Sequence, residues 1–211
     1  MKKADKILQF LKFSSKLKSQ KRTIKLSGER QESVADHSWQ VCLLVLLVQP
    51  YLKNEVEIFK ALKMALIHDL AEAEIGDIPH GVTATNRKIK LQKRKDEERE
   101  MKKIKKMIGG KLGAEFYDLW SEFETGQTRE AKLVRALDSL EANQQSIRFD
   151  VDYWDDYFYS IALTKAEKHC RHEDILCKLN SLITTGMETE FRKIGLDVEK
   201  IKGEGIISTR L

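Results

Sequence analysis

The chain has little proline, little cysteine and no long apolar run. Two prolines, Pro50 and Pro79, stand among 211 residues. Because proline fixes φ and removes a backbone donor, its scarcity favours a mostly helical chain. The three cysteines, Cys42, Cys170 and Cys177, cannot all pair and form no Cys-x-x-Cys, which points away from a disulfide scaffold and towards a reduced, cytoplasmic protein. The longest apolar stretch, Val41–Val48, is far shorter than the roughly 20 residues a bilayer-spanning helix needs, so no membrane association is expected. Met1-Lys2-Lys3 runs into Asp5, Lys6 and Gln9 rather than an apolar segment, so no signal peptide is expected either. Long runs of alternating β-branched residues are missing, which makes a sheet an improbable element.

What is present reads as a soluble globular protein: 41% hydrophobic and 34% charged residues in a length suited to one domain or at most two. The net charge of +5 is local. Residues 87–106 hold 11 Lys or Arg against 4 Asp or Glu, which leaves the rest of the chain near −2. A nucleic-acid-coating protein would carry a broad basic face, so no nucleic-acid partner is expected. Apolar spacing predicts helices over 5–17, 33–48, 56–75, 87–108, 112–124, 129–149 and 164–185. Ser33 is the predicted cap of the second, and Gly76 and Gly109-Gly110 are predicted terminators. Residues 18–31 and 77–86 read as loops, Asp150–Asp156 as an acidic, aromatic turn, and the tail after Gly195 as loose or disordered. The expectation is an all-α, single-domain bundle of roughly six to eight helices over residues 1–195, with a polar tail over 196–211.

The stretch with most chemical content is Ala65-Leu66-Ile67-His68-Asp69-Leu70-Ala71-Glu72-Ala73-Glu74-Ile75-Gly76-Asp77-Ile78-Pro79. Helical positions i, i+3 and i+4 share a face, so His68, Asp69 and Glu72 can converge. An imidazole among carboxylates on a core-facing side is costly to bury without a cation, and a divalent metal is the simplest one. Upstream, Glu32-Ser33-Val34-Ala35-Asp36-His37-Ser38-Trp39 puts His37 near a helix start. Downstream, Val134, Asp138 and Glu141 fall on one stripe of a helix. The order His…His-Asp…Asp gives two imidazoles and two carboxylates, a donor set suited to Mn, Fe, Co, Zn or similar ions.

These motifs together resemble the HD-domain metal-dependent phosphohydrolases. Glu-Ser-Val-Ala-Asp-His-Ser-Trp and the Glu-x-x-x-Gly-Asp-Ile-Pro tail bring the chain closest to their 5′-deoxynucleotidase branch, over about residues 5–150. The resemblance implies a helical HD fold and a divalent cation (Mn, Co, Fe, Zn or Mg) held by His37, His68, Asp69 and Asp138. It implies hydrolysis of (deoxy)nucleoside 5′-monophosphates by water, with Glu72 activating that water. Asp77 is implied to face the sugar or, with Glu72, a second metal. Arg22 is implied to bind phosphate from the loop before the first histidine, although the Trp that many relatives place beside this Arg is missing here. A homodimer through apolar helix faces is also implied.

Each residue has an ordinary alternative. A single buried histidine is usually satisfied by a carbonyl, Asp138 could pair with Arg135 or Lys132, Glu72 could be solvated, and Asp77 could simply shape a turn. His80 reads as a surface residue, and His169, Cys170 and His172 as helix surface. The basic 87–106 segment reads as a solvated helix, with Glu97 the one carboxylate whose spacing from Met101 turns it inwards. Rival HD chemistries are disfavoured: a guanosine tetraphosphate hydrolase would show His-Asp-x-x-Glu-Asp, where position 73 here is Ala, and a cyclic-dinucleotide phosphodiesterase would show Gly-Tyr-Pro. A triphosphate would need a denser cationic cradle. A non-catalytic helical nucleotide sensor remains as a different class of reading.

Overall fold

Apolar residues at helical spacing build most of the molecule. The computed structural model describes residues 3–27, 30–78, 82–83, 86–149 and 156–208. The helices are α1 (Lys3–Ser14), α2 (Val34–Val48), α3 (Ile58–Ile67), α4 (Glu72–Ile75), α5 (Arg87–Ile108), α6 (Gly110–Thr125), α7 (Arg129–Phe149), α8 (Asp156–Thr164), α9 (Glu167–Cys170), α10 (Asp174–Lys193) and α11 (Val198–Ser208). Leaving out the single turns α4 and α9, nine helices stand among the described residues, against the six to eight expected. His80 and most of the Asp150–Asp156 turn lie outside the described residues; Asp156 itself opens α8. No described helix is long and apolar enough to cross a membrane.

Four expectations need correction, the first being the single helix expected over 164–185, which is divided into α9 and α10. The basic loop before α2 is an antiparallel hairpin, β1 (Lys21–Ser27) with β2 (Arg30–Ser33), in which Lys21 pairs with Ser33 and Ser27 with Arg30. Arg22, Ile24 and Leu26 are half-buried and Lys21 and Thr23 exposed, but the register is irregular on both sides of half-buried Lys25, which with the inward arginine hides the period of two. The helix expected over 56–75 is broken: α3 ends at Ile67, and His68–Ala71 form a turn before α4. The tail is no loose segment but holds α11, whose Val198 and Ile201 pack with Tyr159, Leu163, Met187 and Phe191 in a small second core.

The main core lies where α7 crosses α2 and α3, with Val41, Val45, Met64, Ala65, Leu133, Leu137 and Leu140 fully or almost fully buried. The hairpin lies against α7, and α5 packs on α1, α4 and α6. Helices α5 and α6 approach closely at Gly113, where an added Cβ would sit 2.4 Å from the Lys105 carbonyl oxygen. Gly76, at φ 78°, ends α4 in a backbone region that side-chain-bearing residues avoid.

Candidate metal centre

The sequence Glu32–Ser38 builds one wall of the site. Ser33 caps α2 in a reciprocal capping box: its Oγ accepts from the Asp36 N–H at 3.1 Å, and Asp36 Oδ2 accepts from the Ser33 N–H at 2.9 Å. This fixes His37 in the first turn of α2, pointing into the core, fully buried. Glu32, one residue before the cap, is equally buried.

The second wall is the turn between α3 and α4. The His68 N–H still donates to Met64 O at 2.9 Å, but Leu70 N–H to Ile67 O (3.1 Å), Glu72 N–H to Asp69 O (3.0 Å) and Ala73 N–H to Leu70 O (3.3 Å) are three-residue bonds. That tightened turn, rather than one continuous helix, swings His68 and Asp69 together. His68 Nδ1 donates to Ala65 O at 2.8 Å, which leaves Nε2 facing the site. Nε2 lies 3.1 Å from Asp69 Oδ2 yet has no aligned hydrogen-bond partner.

Helix α7 supplies the third wall. Asp138 Oδ1 lies 3.1 Å from His37 Nε2, and Glu141, one turn on, receives the hydrogen bond from His37 Nδ1. Asp69 Oδ2 is 3.9 Å from the same Nε2. His37, His68 and Asp69 thus offer donor atoms within 4.8 Å of one another, with Asp138 against the same imidazole nitrogen. Two imidazole nitrogens, one of them orphaned and buried, and two carboxylates facing a common point fit a divalent cation. Glu141 behind His37 is the carboxylate–histidine support that ligating imidazoles commonly carry.

The electrostatics carry the same message. Burial and the Arg22 charge oppose protonation of His37, but Glu141 and Asp138 overcome them and raise it to about 10. Burial works against the Asp69 carboxylate, yet His68 and His37 hold it well below the usual range; Asp138 is held down by His37 and His68 in the same way. A proton on His37 supplies part of the positive charge a metal would bring.

Glu72 and Asp77 lie beside this cluster but do not join it. Glu72 is buried, and burial together with Asp69 pushes its carboxyl well up, against the pull of Lys93. Asp77 follows Gly76 in irregular backbone; burial raises it too, with Arg22 opposing. Arg22 comes from strand β1 instead of a loop. Its Nε ion-pairs with Glu32 Oε2 at 2.8 Å, and one terminal nitrogen is 3.9 Å from Asp69 Oδ2. Burial and the neighbouring Glu141 raise the Glu32 carboxyl to about 7. Glu32, His37 and Glu141 also have metal-like spacing, but the Arg22 guanidinium already supplies a cation there.

Four residues were not assigned from the sequence. Glu32 and Glu141 are the buried partners of Arg22 and His37. Lys93 of α5 reaches Glu72 Oε1 at 3.2 Å and Glu97 Oε1 at 3.4 Å. Lys165, half-buried between α8 and α9, is pushed down by burial with Asp138 opposing. Glu141 was visible on the Asp138 stripe; the lysines carried no spacing signal. Among the described residues Cys170 is buried rather than on a helix surface, and no group of metal-ligand spacing forms around it.

Comparison with known proteins gives concordant results. The family model described as "HD domain" matches residues 14–179. The chain is 34% identical to the 5′-deoxynucleotidase HDDC2 of Danio rerio over 148 residues, 69% of this chain and 70% of that protein. It is 32% identical to the Homo sapiens protein of the same name, over 70% of each chain. Among solved structures, a predicted metal-dependent phosphohydrolase from Magnetospirillum magnetotacticum MS-1 superposes with a TM-score of 0.68 at 22% identity, covering 90% of this chain and 96% of the other, which speaks to the fold.

Proposed function

Because the chain belongs to the HD-domain family, we propose that it is a divalent-metal-dependent phosphomonoesterase that hydrolyses deoxynucleoside 5′-monophosphates to nucleoside and phosphate. The observation that carries this reading is the convergence of buried His37 and His68 with part-exposed Asp69, and of Asp138 on the same His37 nitrogen, beside buried Glu72. His37, His68, Asp69 and Asp138 would hold the cation. When bound, such an ion neutralises phosphate charge and lowers the pKa of water. Mn, Co, Fe, Zn and Mg are all compatible with these donors.

Glu72 takes the proton of the attacking water. Its pKa, raised by burial and Asp69, makes it a stronger base than a solvated carboxylate, and Lys93 orients its carboxylate. Arg22 meets the phosphate through its terminal nitrogens, one of them 3.9 Å from Asp69 Oδ2, while the pairing of its Nε with Glu32 keeps the guanidinium from swinging away. Asp77 accepts from the sugar hydroxyl edge, with a second metal shared with Glu72 as its alternative role. No serine or cysteine nucleophile is required, so water attacks phosphorus directly and the P–O5′ bond breaks.

The substrate is a small nucleotide, the protein works in the cytoplasm, and it forms a homodimer. In support of the dimer, α2 leaves Trp39, Leu43, Leu46 and Leu47 exposed, and α3, packed beside it, leaves Phe59 and Leu66 exposed. Such a face favours a protein partner. The test of the enzymatic reading is phosphate release from ribo- and deoxynucleoside mono- and triphosphates across divalent ions, with and without chelator. Metal-dependent turnover of deoxy monophosphates above triphosphates is expected; faster triphosphate hydrolysis, or none at all, refutes it.

A further inference from the structure

The basic helix α5 is not uniformly a solvated face. Arg99, Lys102 and Lys103 have side chains 57–62% exposed, whereas the Lys93 side chain is only 22% exposed. It places its ammonium between Glu72 of α4 and Glu97, one turn further along its own helix. Glu97 is itself mostly buried, 15% exposed, so the pair is built into the packing between α5 and the site.

The charge balance of the site gives this lysine a task. Glu32, Asp69, Glu72, Asp77, Glu97, Asp138 and Glu141 face three basic side chains, Arg22, Lys93 and Lys165. Counted as fully ionised and with a divalent cation in place, these side chains sum to a formal charge of −2, and a phosphate dianion entering them needs cations that meet it directly. Arg22 is 12% exposed and already engaged by Glu32 and Asp69. Lys165 has Asp138 as its acidic neighbour. Lys93 is the cation beside the residue that handles the attacking water, with Asp69 and Asp77 in its electrostatic reach. An ammonium has three donors; Glu72 and Glu97 engage two of them, and the side chain keeps 22% of its surface exposed.

We propose that Lys93 binds the phosphoryl oxygens of the substrate, with Glu97 holding its ammonium in position. This rests on the phosphomonoesterase reading above. The competing possibility is that Lys93 only neutralises its two carboxylates, in which case phosphate affinity would not depend on it.

The decisive measurement is binding of inorganic phosphate to the metal-loaded protein, by calorimetry, in wild type, Lys93→Ala and Lys93→Arg, with metal content determined in parallel. Loss of a charged hydrogen bond should weaken phosphate binding about ten- to a hundred-fold in Lys93→Ala. KM for a deoxynucleoside monophosphate should rise by a similar factor, metal stoichiometry should stay that of wild type, and Lys93→Arg should recover most of the loss. Phosphate affinity within about twofold of wild type in Lys93→Ala would overturn the assignment. So would loss of metal in that variant, which would place Lys93 in the metal cage. If phosphate binding depends on Lys93 while wild type releases no phosphate from deoxynucleotides, the phosphate site stands and the enzymatic reading falls.

Discussion

Replacing Glu72 by Gln should make the protein slower without making it less stable. The carboxylate is 4% exposed and carries a pKa raised by burial and by Asp69. A group whose folded pKa lies above its unfolded value contributes stability below the unfolded value, about 4.5, and loses it as pH rises through the folded one. Burial therefore works against the ionised carboxylate, and a neutral amide of the same shape carries no such penalty. Lys93 is not orphaned by the change, because Glu97 remains 3.4 Å away. The melting temperature of chelator-treated Glu72→Gln at pH 7 should equal or exceed that of wild type. Turnover should fall about a hundred- to ten-thousand-fold, the usual worth of general acid–base assistance, which is about 2.7–5.4 kcal/mol of activation free energy. Steady-state kinetics, a thermal melt and elemental analysis on the same preparation decide the matter. A kcat within about threefold of wild type refutes the base assignment; a kcat loss accompanied by one fewer bound ion would move Glu72 to a second metal.

Other expectations follow from the same geometry. His68→Ala or Asp69→Ala should abolish metal binding while helical circular dichroism persists, and unchanged metal stoichiometry in both would sink the ligand set. In metal-free protein the raised pKa of His37 should make stability complete below about 6.5 and progressively lost as pH rises towards about 10. NMR titration of the imidazole should show Glu141→Gln moving its midpoint down, and an unmoved midpoint would remove Glu141 from its role. Asp77→Ala should impair substrate use more than metal binding, whereas loss of metal would assign Asp77 to a second ion. Gly113→Ala should destabilise the fold by about 1–3 kcal/mol, the usual penalty for overpacking, because its Cβ would meet the Lys105 carbonyl at 2.4 Å; a denaturant melt superposable on wild type would contradict that clash.

Much of the fold was legible because it is written in local periodicity. The Ser33 cap, the Gly76 and Gly109 stops and the α7 stripe are all short-range signals, and the structure contains them. The hairpin escaped notice because its inward face carries Arg22, a charge made buriable by Glu32 and Asp69, which the strand's own residues do not disclose. The break at His68 escaped because apolar spacing runs on through Leu70 and Ala71, both buried, although the backbone has left the α-helix. The tail helix gains its burial from α8 and α10, which its own residues do not disclose. In the site, the His-Asp doublet, His37 and Asp138 could be read from donor chemistry. Lys93 could not, because its helix offers eleven similar cations over residues 87–106 and only packing selects one.

The two ring nitrogens of His37 find their partners 101 and 104 residues further along the chain. Synthesis proceeds from the N-terminus, and early segments collapse before later ones exist. A nascent or clipped chain that stops short of α7 carries His37, His68 and Asp69 but neither Asp138 nor Glu141, so its first histidine is buried against nothing that can hold it. Under the ligand set proposed above, the four-residue cage is therefore complete only in molecules whose two halves have met. Since a ligand that binds only the finished fold shifts the equilibrium towards it, the cation would act as a proofreading step for chain completeness, leaving unfinished copies open to proteolysis.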